Sequence, residues 1–183
     1  MLWILVLGGI VLLILVTIWV IYNRLVQADN QVDEALALID VQLKKRFELI
    51  PNLVEVVKAY NAHEAVVLEK VVAQRTKIPT GANAKANFDG SITDTLKNFR
   101  IQVEAYPNLL ANEQFTKLMD SLSMVEDELA MARRYYNGTV RDLNNIREVF
   151  PNVLFASTFG IKEKNFYEID ASDAERPEID LNS

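Results

Sequence analysis

The first 23 residues of this chain carry no charged side chain, and the first charge is Arg24. An apolar run of about 20 residues is long enough to cross a hydrocarbon core of about 30 Å as a helix. A cleaved signal peptide would need a basic start, a shorter apolar core and a small-residue exit, whereas this run ends in aromatic and polar residues. We therefore expect residues 1–23 to be a retained, single-pass transmembrane anchor.

Aromatic residues flank the apolar run on both sides, with Trp3 near one end and Trp19 and Tyr22 near the other. Such side chains favour the headgroup region, so these three and Arg24 are the expected membrane-interface residues, and the lipid bilayer is the expected partner. Basic residues that flank a span favour the cytoplasmic side. Because only the second flank has one, we expect the N-terminus outside and the C-terminal domain in the cytoplasm.

Composition limits what the remaining chain can be. About 160 residues are enough for one soluble domain. The chain has no cysteine, which excludes disulfides, thiolate metal sites and cysteine nucleophiles. Few glycines and prolines favour long helices over strands and turns. The formal charge of −6 is concentrated after residue 165, so the body is nearly neutral and offers no broad basic face for nucleic acid.

Apolar side chains recur at helical spacing beyond the anchor. Over residues 25–50 they follow steps of three and four that form an 11-residue repeat, which predicts a near-continuous, coiled-coil-like helix over residues 2–50. A bend near Asn23 is the alternative. Further helices are expected over residues 51–75, from Ser91 to 106 and over about 35 residues before 151, whereas the turn-rich residues 79–90 predict an exposed loop.

The predicted fold class is thus all-α. We expect an anchor that continues into an antiparallel bundle of about four long helices over residues 24–150. An irregular aromatic segment, residues 151–168, and an acidic tail, residues 169–183, should follow.

Three Pro-Asn pairs interrupt the helical pattern, each between bulky apolar residues. Proline disfavours the α region for its predecessor, and asparagine can bond nearby backbone, so we expect helix corners. A ligand role for the asparagines is the alternative. The pairs are Pro51 with Asn52, Pro107 with Asn108, and Pro151 with Asn152.

Aromatic residues are concentrated around and after the last of these pairs, with a spacing that fits neither helix nor strand. Such side chains have to be buried, either on their own bundle or in a groove of a neighbouring subunit. They are therefore our candidate oligomer interface. These residues are Phe150, Phe155, Phe159, Phe166 and Tyr167.

Several motifs together resemble the LemA family, over roughly residues 20–168. They are Leu49-Ile50-Pro51-Asn52-Leu53, Glu104-Ala105-Tyr106-Pro107-Asn108-Leu109, Ala132-Arg133-Arg134-Tyr135-Tyr136-Asn137 and Phe150-Pro151-Asn152. The resemblance implies a bacterial inner-membrane protein with one N-terminal span, a short outer N-terminus and a cytoplasmic antiparallel bundle. It implies no established activity.

The sequence offers little for catalysis, metal or cofactor binding. His63 is the only histidine, and His63-Glu64 lacks the second histidine of a zinc-protease motif. No nucleophile elbow or glycine-rich phosphate loop is present, and Glu126-Asp127-Glu128 is expected to face water. Arg133 and Arg134 could contact an anion or a partner protein, although a solvated arginine pair is the favoured alternative.

Two functions fit these expectations. In the first, the protein is a structural membrane component that self-associates into a homo-oligomer and organises or shapes the membrane. In the second, it is an anchored adaptor that presents its bundle to another envelope protein, such as a protease or kinase. An enzyme is not expected.

Overall fold

The computed structural model describes residues 1–59, residue 69 and residues 79–168. These residues form five helices: α1 (Leu2–Ala59), α2 (Ala82–Val103), α3 (Pro107–Leu110), α4 (Glu113–Glu148) and α5 (Val153–Ala156). An extended segment, residues 161–168, follows α5. His63, most of the helix expected over residues 51–75, and the acidic tail after residue 168 lie outside the described residues.

Helix α1 is continuous over 58 residues and includes both the apolar run and the first bundle helix. Its first part, up to residue 20, is almost wholly exposed, and α1 is the one described helix long and apolar enough to cross a membrane. From Ile21 onward, a stripe of buried side chains faces the bundle. The expected near-continuous helix is therefore present, and it is not interrupted at Asn23.

The corner expected at Pro51 and Asn52 is wrong, because α1 continues through Pro51 to Ala59. An interior proline removes one helical hydrogen bond and costs about 3 kcal/mol or more. Apolar side chains on both sides of Pro51 bury into one core cluster, and their packing offsets this cost. They include Phe47, Ile50, Leu53, Val54 and Val57.

The loop expected over residues 79–90 is also largely wrong, since α2 begins at Ala82 and not near Ser91. Gly81 precedes the helix with a φ of 89°, a conformation that glycine adopts readily, and this sharp entry sets the start of α2. Alanine-rich sequence favours the helix, and burial of Lys85 and Asp89 within it adds packing that propensity does not reveal.

Helices α1 and α4 form the central antiparallel pair. One core cluster joins α1 residues 21–43 to α4 residues 129–143, and a second joins α1 residues 47–57 to α4 residues 115–122 and to α2. Later residues of α1 thus pack against earlier residues of α4. This arrangement confirms the all-α prediction of a long apolar helix that continues into a helical bundle.

The chain turns at the other two Pro-Asn pairs. Pro107 is the first residue of α3, where proline is well tolerated. Pro151 follows the end of α4, and the buried Asn152 donates from Nδ2 to the carbonyl of Ile146 at 2.8 Å. That bond satisfies one of the carbonyls left without a helical partner at the end of α4.

Candidate functional site

A fully buried acid, Asp89, lies at the centre of the bundle, on α2. Its carboxylate accepts from Arg46 Nη1 of α1 at 2.9 Å, from Arg133 Nη2 of α4, and from the Tyr167 hydroxyl of the extended segment at 3.1 Å. The side chains of both Asp89 and Arg46 are almost completely inaccessible to solvent. One carboxylate therefore connects two further helices and the C-terminal segment.

Arg46 occupies the same interior. Its guanidinium also donates to Thr93 Oγ1 at 3.2 Å and to Glu126 Oε1 at 3.3 Å. Burial lowers the pKa of Arg46, and the carboxylates of Asp89 and Glu126 oppose that shift. A guanidinium in this position is tolerable only while its acidic partners are in place, since an isolated buried charge is very costly.

Further ion pairs surround this centre. Glu126 also accepts from Arg100 Nη2 at 2.8 Å, and Lys85 Nζ lies 2.7 Å from Asp40 Oδ2. These pairs join α2 to α4 and α2 to α1. Because the pairing fails if any helix shifts along its axis by one turn, the cluster favours a single register of the three long helices.

The extended segment, residues 161–168, is held against α4 through its main chain. Asn137 donates from Nδ2 to the carbonyl of Tyr167 at 3.1 Å and accepts from the same residue's amide at 2.7 Å. Asn144 makes the same two bonds with Lys164, at 3.0 and 3.2 Å. Each asparagine thus replaces the pair of hydrogen bonds that a neighbouring β-strand would supply.

Side chains complete this attachment. Lys164 Nζ contacts Asp29 at 2.9 Å and Asp33 at 3.1 Å on α1, and these carboxylates raise its pKa against the effect of burial. The Tyr136 hydroxyl donates to the carbonyl of Asn165 at 3.0 Å. Burial raises the pKa of Tyr136 and of Tyr167, and the nearby Asp89 carboxylate raises that of Tyr167 further.

The expected oligomer-interface residues separate into two groups. Tyr167 is buried, and Phe155 and Phe159 pack against the same bundle core, with Phe159 edge-on to Tyr22 at a ring distance of 5.1 Å. Phe150 and Phe166 remain exposed. Of the two placements left open by the sequence, three rings thus lie on their own bundle, whereas a role in contacts between copies stays a prediction.

The other expected site residues are also placed. Trp3, Trp19, Tyr22 and Arg24 lie on the exposed surface of α1. The expectation of a solvated arginine pair holds only for Arg134, because Arg133 is paired with Asp89. The corner residue Asn108 is exposed.

The acidic run was also misjudged in part, since Glu126 bonds Arg46 and Arg100 and does not face only water. In the described ranges, no group of three or more histidine, cysteine or acidic side chains is arranged to hold a metal ion.

The sequence analysis did not predict the Asp89 cluster. It also did not predict the clamp, by which we mean the hydrogen bonds of Asn137 and Asn144 to the main chain of the extended segment. Arg46 could have been found, because it lies three residues after Leu43 on the predicted core stripe, where a charge needs a buried partner. Asn137 and Asn144 are seven residues apart and share one face of α4 with Val140. Asp89 gave no signal, since its turn-rich neighbours predicted a loop.

Comparison with known proteins agrees with this architecture. The family model described as the LemA family matches residues 35–181. The chain is also 23% identical over 163 residues to Protein LemA of Metamycoplasma hominis, covering 87% of this chain and 74% of the relative. The resemblance drawn from the Pro-Asn joints and the Arg-Arg-Tyr-Tyr motif is confirmed, and the chain belongs to the LemA family.

Proposed function

We propose that this protein is a single-pass component of a bacterial inner membrane, with its N-terminus outside and its bundle in the cytoplasm. Its copies associate side by side into a homo-oligomeric scaffold that organises or shapes the membrane. In this proposal the protein carries no catalytic centre, and the buried charges around Asp89 serve to hold the bundle together.

The observation that carries the proposal is the unbroken helix α1. It runs from the exposed apolar stretch into the bundle core without a break, and the bundle packs on it from Ile21 onward. A bundle joined to its anchor by a helix and not by a flexible linker keeps a fixed height and orientation above the bilayer. All copies in one membrane then present the same surface at the same level.

One such surface lies along α1 and α4, on the side opposite the extended segment. Its exposed apolar side chains follow helical spacing on both helices, and Lys45 and Glu128 form an ion pair across it at 3.0 Å. We define this as the lateral face. Its apolar residues are Leu38, Val41, Met124, Met131 and Tyr135.

A second copy suits this face because both partners are already aligned. Confinement to one membrane raises the effective concentration of copies and removes much of the orientational cost of association. Burying a fully exposed leucine side chain contributes roughly 1.5–3 kcal/mol to the free energy of association. Leu38 is 47% exposed in the single chain, so its complete burial between two copies contributes about half of that. Several such residues repeated on two copies are enough for a stable contact.

The test is the particle mass of the full-length protein in mild detergent, measured by light scattering with detergent correction. We expect a uniform species several times heavier than the single chain of 20.8 kDa. Leu38→Glu should reduce it to the mass of one chain. Ile101→Glu is the matched control, because Ile101 is also exposed, at 60%, but lies on α2, away from the lateral face.

One result would count against the scaffold, and another would count against the lateral face as its contact. A wild-type protein that is monomeric at all concentrations would favour the adaptor function, in which the bundle surface binds a different envelope protein. An assembly that survives Leu38→Glu unchanged would place the contact between copies elsewhere than on the lateral face.

A further inference from the structure

Four exposed apolar side chains are grouped where the chain leaves α4. Val149, Phe150, Val153 and Leu154 are 57%, 75%, 48% and 61% exposed, respectively. We call residues 149–154 the apolar loop. Water-facing loops are usually polar, and a contiguous apolar patch at a turn indicates a contact with another apolar phase.

The position of this loop along the molecule is fixed by the antiparallel pairing of α1 and α4. Lys45 lies opposite Glu128. Because the helices are antiparallel, a residue of α1 before Lys45 lies level with a residue of α4 equally far after Glu128. By this count Leu25 lies level with Glu148, where α4 ends. The apolar loop then begins at the level of Arg24, which is the first charge after the apolar run.

Aromatic contacts support the same level independently. Phe159 lies edge-on to Tyr22 at 5.1 Å and stacks with Phe155 at 6.0 Å. Tyr22 belongs to the aromatic end of the apolar run, where side chains favour the headgroup region. The rings therefore hold the loop and α5 beside the part of α1 that would emerge from the bilayer.

We propose that the apolar loop inserts into the interfacial region of the bilayer that α1 spans, and that it forms a second membrane contact. The inference rests on the membrane anchoring in the proposed function, but not on self-association. The partner is the boundary between lipid headgroups and acyl chains, because the loop begins at the level of Arg24, where α1 leaves its apolar run. The bundle then has two membrane contacts, the transmembrane part of α1 and the apolar loop, which we call the wedge. They are separated by one helix-packing distance, about 8–10 Å.

Site-specific fluorescence on the full-length chain tests this directly, since the native sequence has no cysteine. Val153→Cys is labelled with a nitrobenzoxadiazole dye, and the protein is reconstituted into phosphatidylcholine and phosphatidylglycerol vesicles. Leu110→Cys is the matched control, because Leu110 is 46% exposed and lies in α3, at the other end of α4. Lipids with a nitroxide on the acyl chain serve as quenchers.

We expect the probe at residue 153 to emit at shorter wavelength and to be quenched more strongly than the probe at residue 110, as for side chains buried about 5–10 Å into the boundary between headgroups and acyl chains. Phe150→Asp together with Leu154→Asp, in the Val153→Cys chain, should abolish this difference. Ile101→Asp in the same chain should leave it intact. Both sets of residues are exposed, so neither change removes a core side chain.

The other outcomes each overturn the inference. Emission typical of water at residue 153, in a protein that resists carbonate extraction, would leave the anchor in place but remove the wedge. Emission at shorter wavelength without quenching by lipid would assign the loop to a protein contact, as first expected for Phe150. Quenching that persists after both aspartate substitutions would show that the apolar side chains do not hold the loop. A protein extracted by carbonate would contradict the anchor and, with it, the second contact.

Discussion

Replacing Asp89 by alanine should destabilise the bundle more than any surface change. Asp89 is fully buried and accepts from Arg46, Arg133 and Tyr167. Without it, Glu126, at 3.3 Å, is the acidic partner that the Arg46 guanidinium keeps among the described residues. Breaking a buried ion pair costs about 3–5 kcal/mol, and a buried hydroxyl left without its acceptor adds about 1–3 kcal/mol.

These contributions do not simply add, because the residues share one network. Arg133 is 20% exposed and can turn toward water, so its loss of Asp89 contributes little. We expect a total of about 3–5 kcal/mol. That is a large part of the 5–15 kcal/mol by which a domain is usually stable, so Asp89→Ala should lower the urea midpoint sharply without abolishing the fold.

The measurement is urea unfolding of the full-length protein in non-ionic detergent, monitored by the helical signal in circular dichroism. Asp94→Ala is the matched control, since Asp94 is an exposed acid on the same helix and should change stability by about 0.5 kcal/mol or less. Tyr167→Phe should cost about 1.5–3 kcal/mol in the wild-type background but much less in Asp89→Ala, because its acceptor is then absent. Equal effects of Asp89→Ala and Asp94→Ala, or an unchanged effect of Tyr167→Phe, would refute a central role for this carboxylate.

Two further changes test the long helix and the extended segment. Gln31→Pro, in the interior of α1, should lower the free energy of unfolding by about 3 kcal/mol or more. Ala82→Pro should leave the urea midpoint nearly unchanged, because residue 82 is the first of α2 and Gly81 before it has a ψ of 149°. Equal tolerance of both substitutions would contradict a continuous α1. The free energy of unfolding should fall above about pH 10, where the tyrosines of the unfolded chain ionise. Burial raises the pKa of Tyr136 and Tyr167 in the folded protein, so the unfolded state loses these protons first and is favoured as the pH rises. Urea midpoints measured on both sides of pH 10 should show a shallower decline for Tyr167→Phe, and a decline identical to that of the wild type would contradict the assignment.

Helix positions were predictable where apolar periodicity was long and unbroken. The apolar stripes along α1 and α4 predicted both helices correctly, because the side chains of each stripe are buried against the other helix. The proline rule failed at Pro51 because a local cost of a few kcal/mol is smaller than the packing of five buried neighbours. The turn rule failed before Gly90 for a similar reason, since Asp89 and Lys85 form ion pairs with distant residues.

The clamp on the extended segment was beyond sequence reasoning for a different reason. Asn137 and Asn144 bond main-chain atoms, which every residue possesses, so these contacts require no particular side chain in residues 161–168. Side-chain contacts of the segment, such as those of Lys164 and Tyr167, are made with residues far away in the sequence. A pattern in one sequence cannot reveal a contact whose second partner is generic backbone.

The bond between Tyr167 and Asp89 also has a consequence for how the protein is made. Tyr167 is synthesised after all the residues of α1, α2 and α4, so the donor for Asp89 is absent from the chain while these helices are being made. A chain that terminates early within residues 161–166 would contain every described helix but would lack the hydroxyl that donates to the central carboxylate. The loosened bundle of such a fragment would open more often than that of the intact chain, and proteases that act on open states would remove it preferentially. The last residues of the extended segment thus contribute to the stability of helices that precede them in the chain.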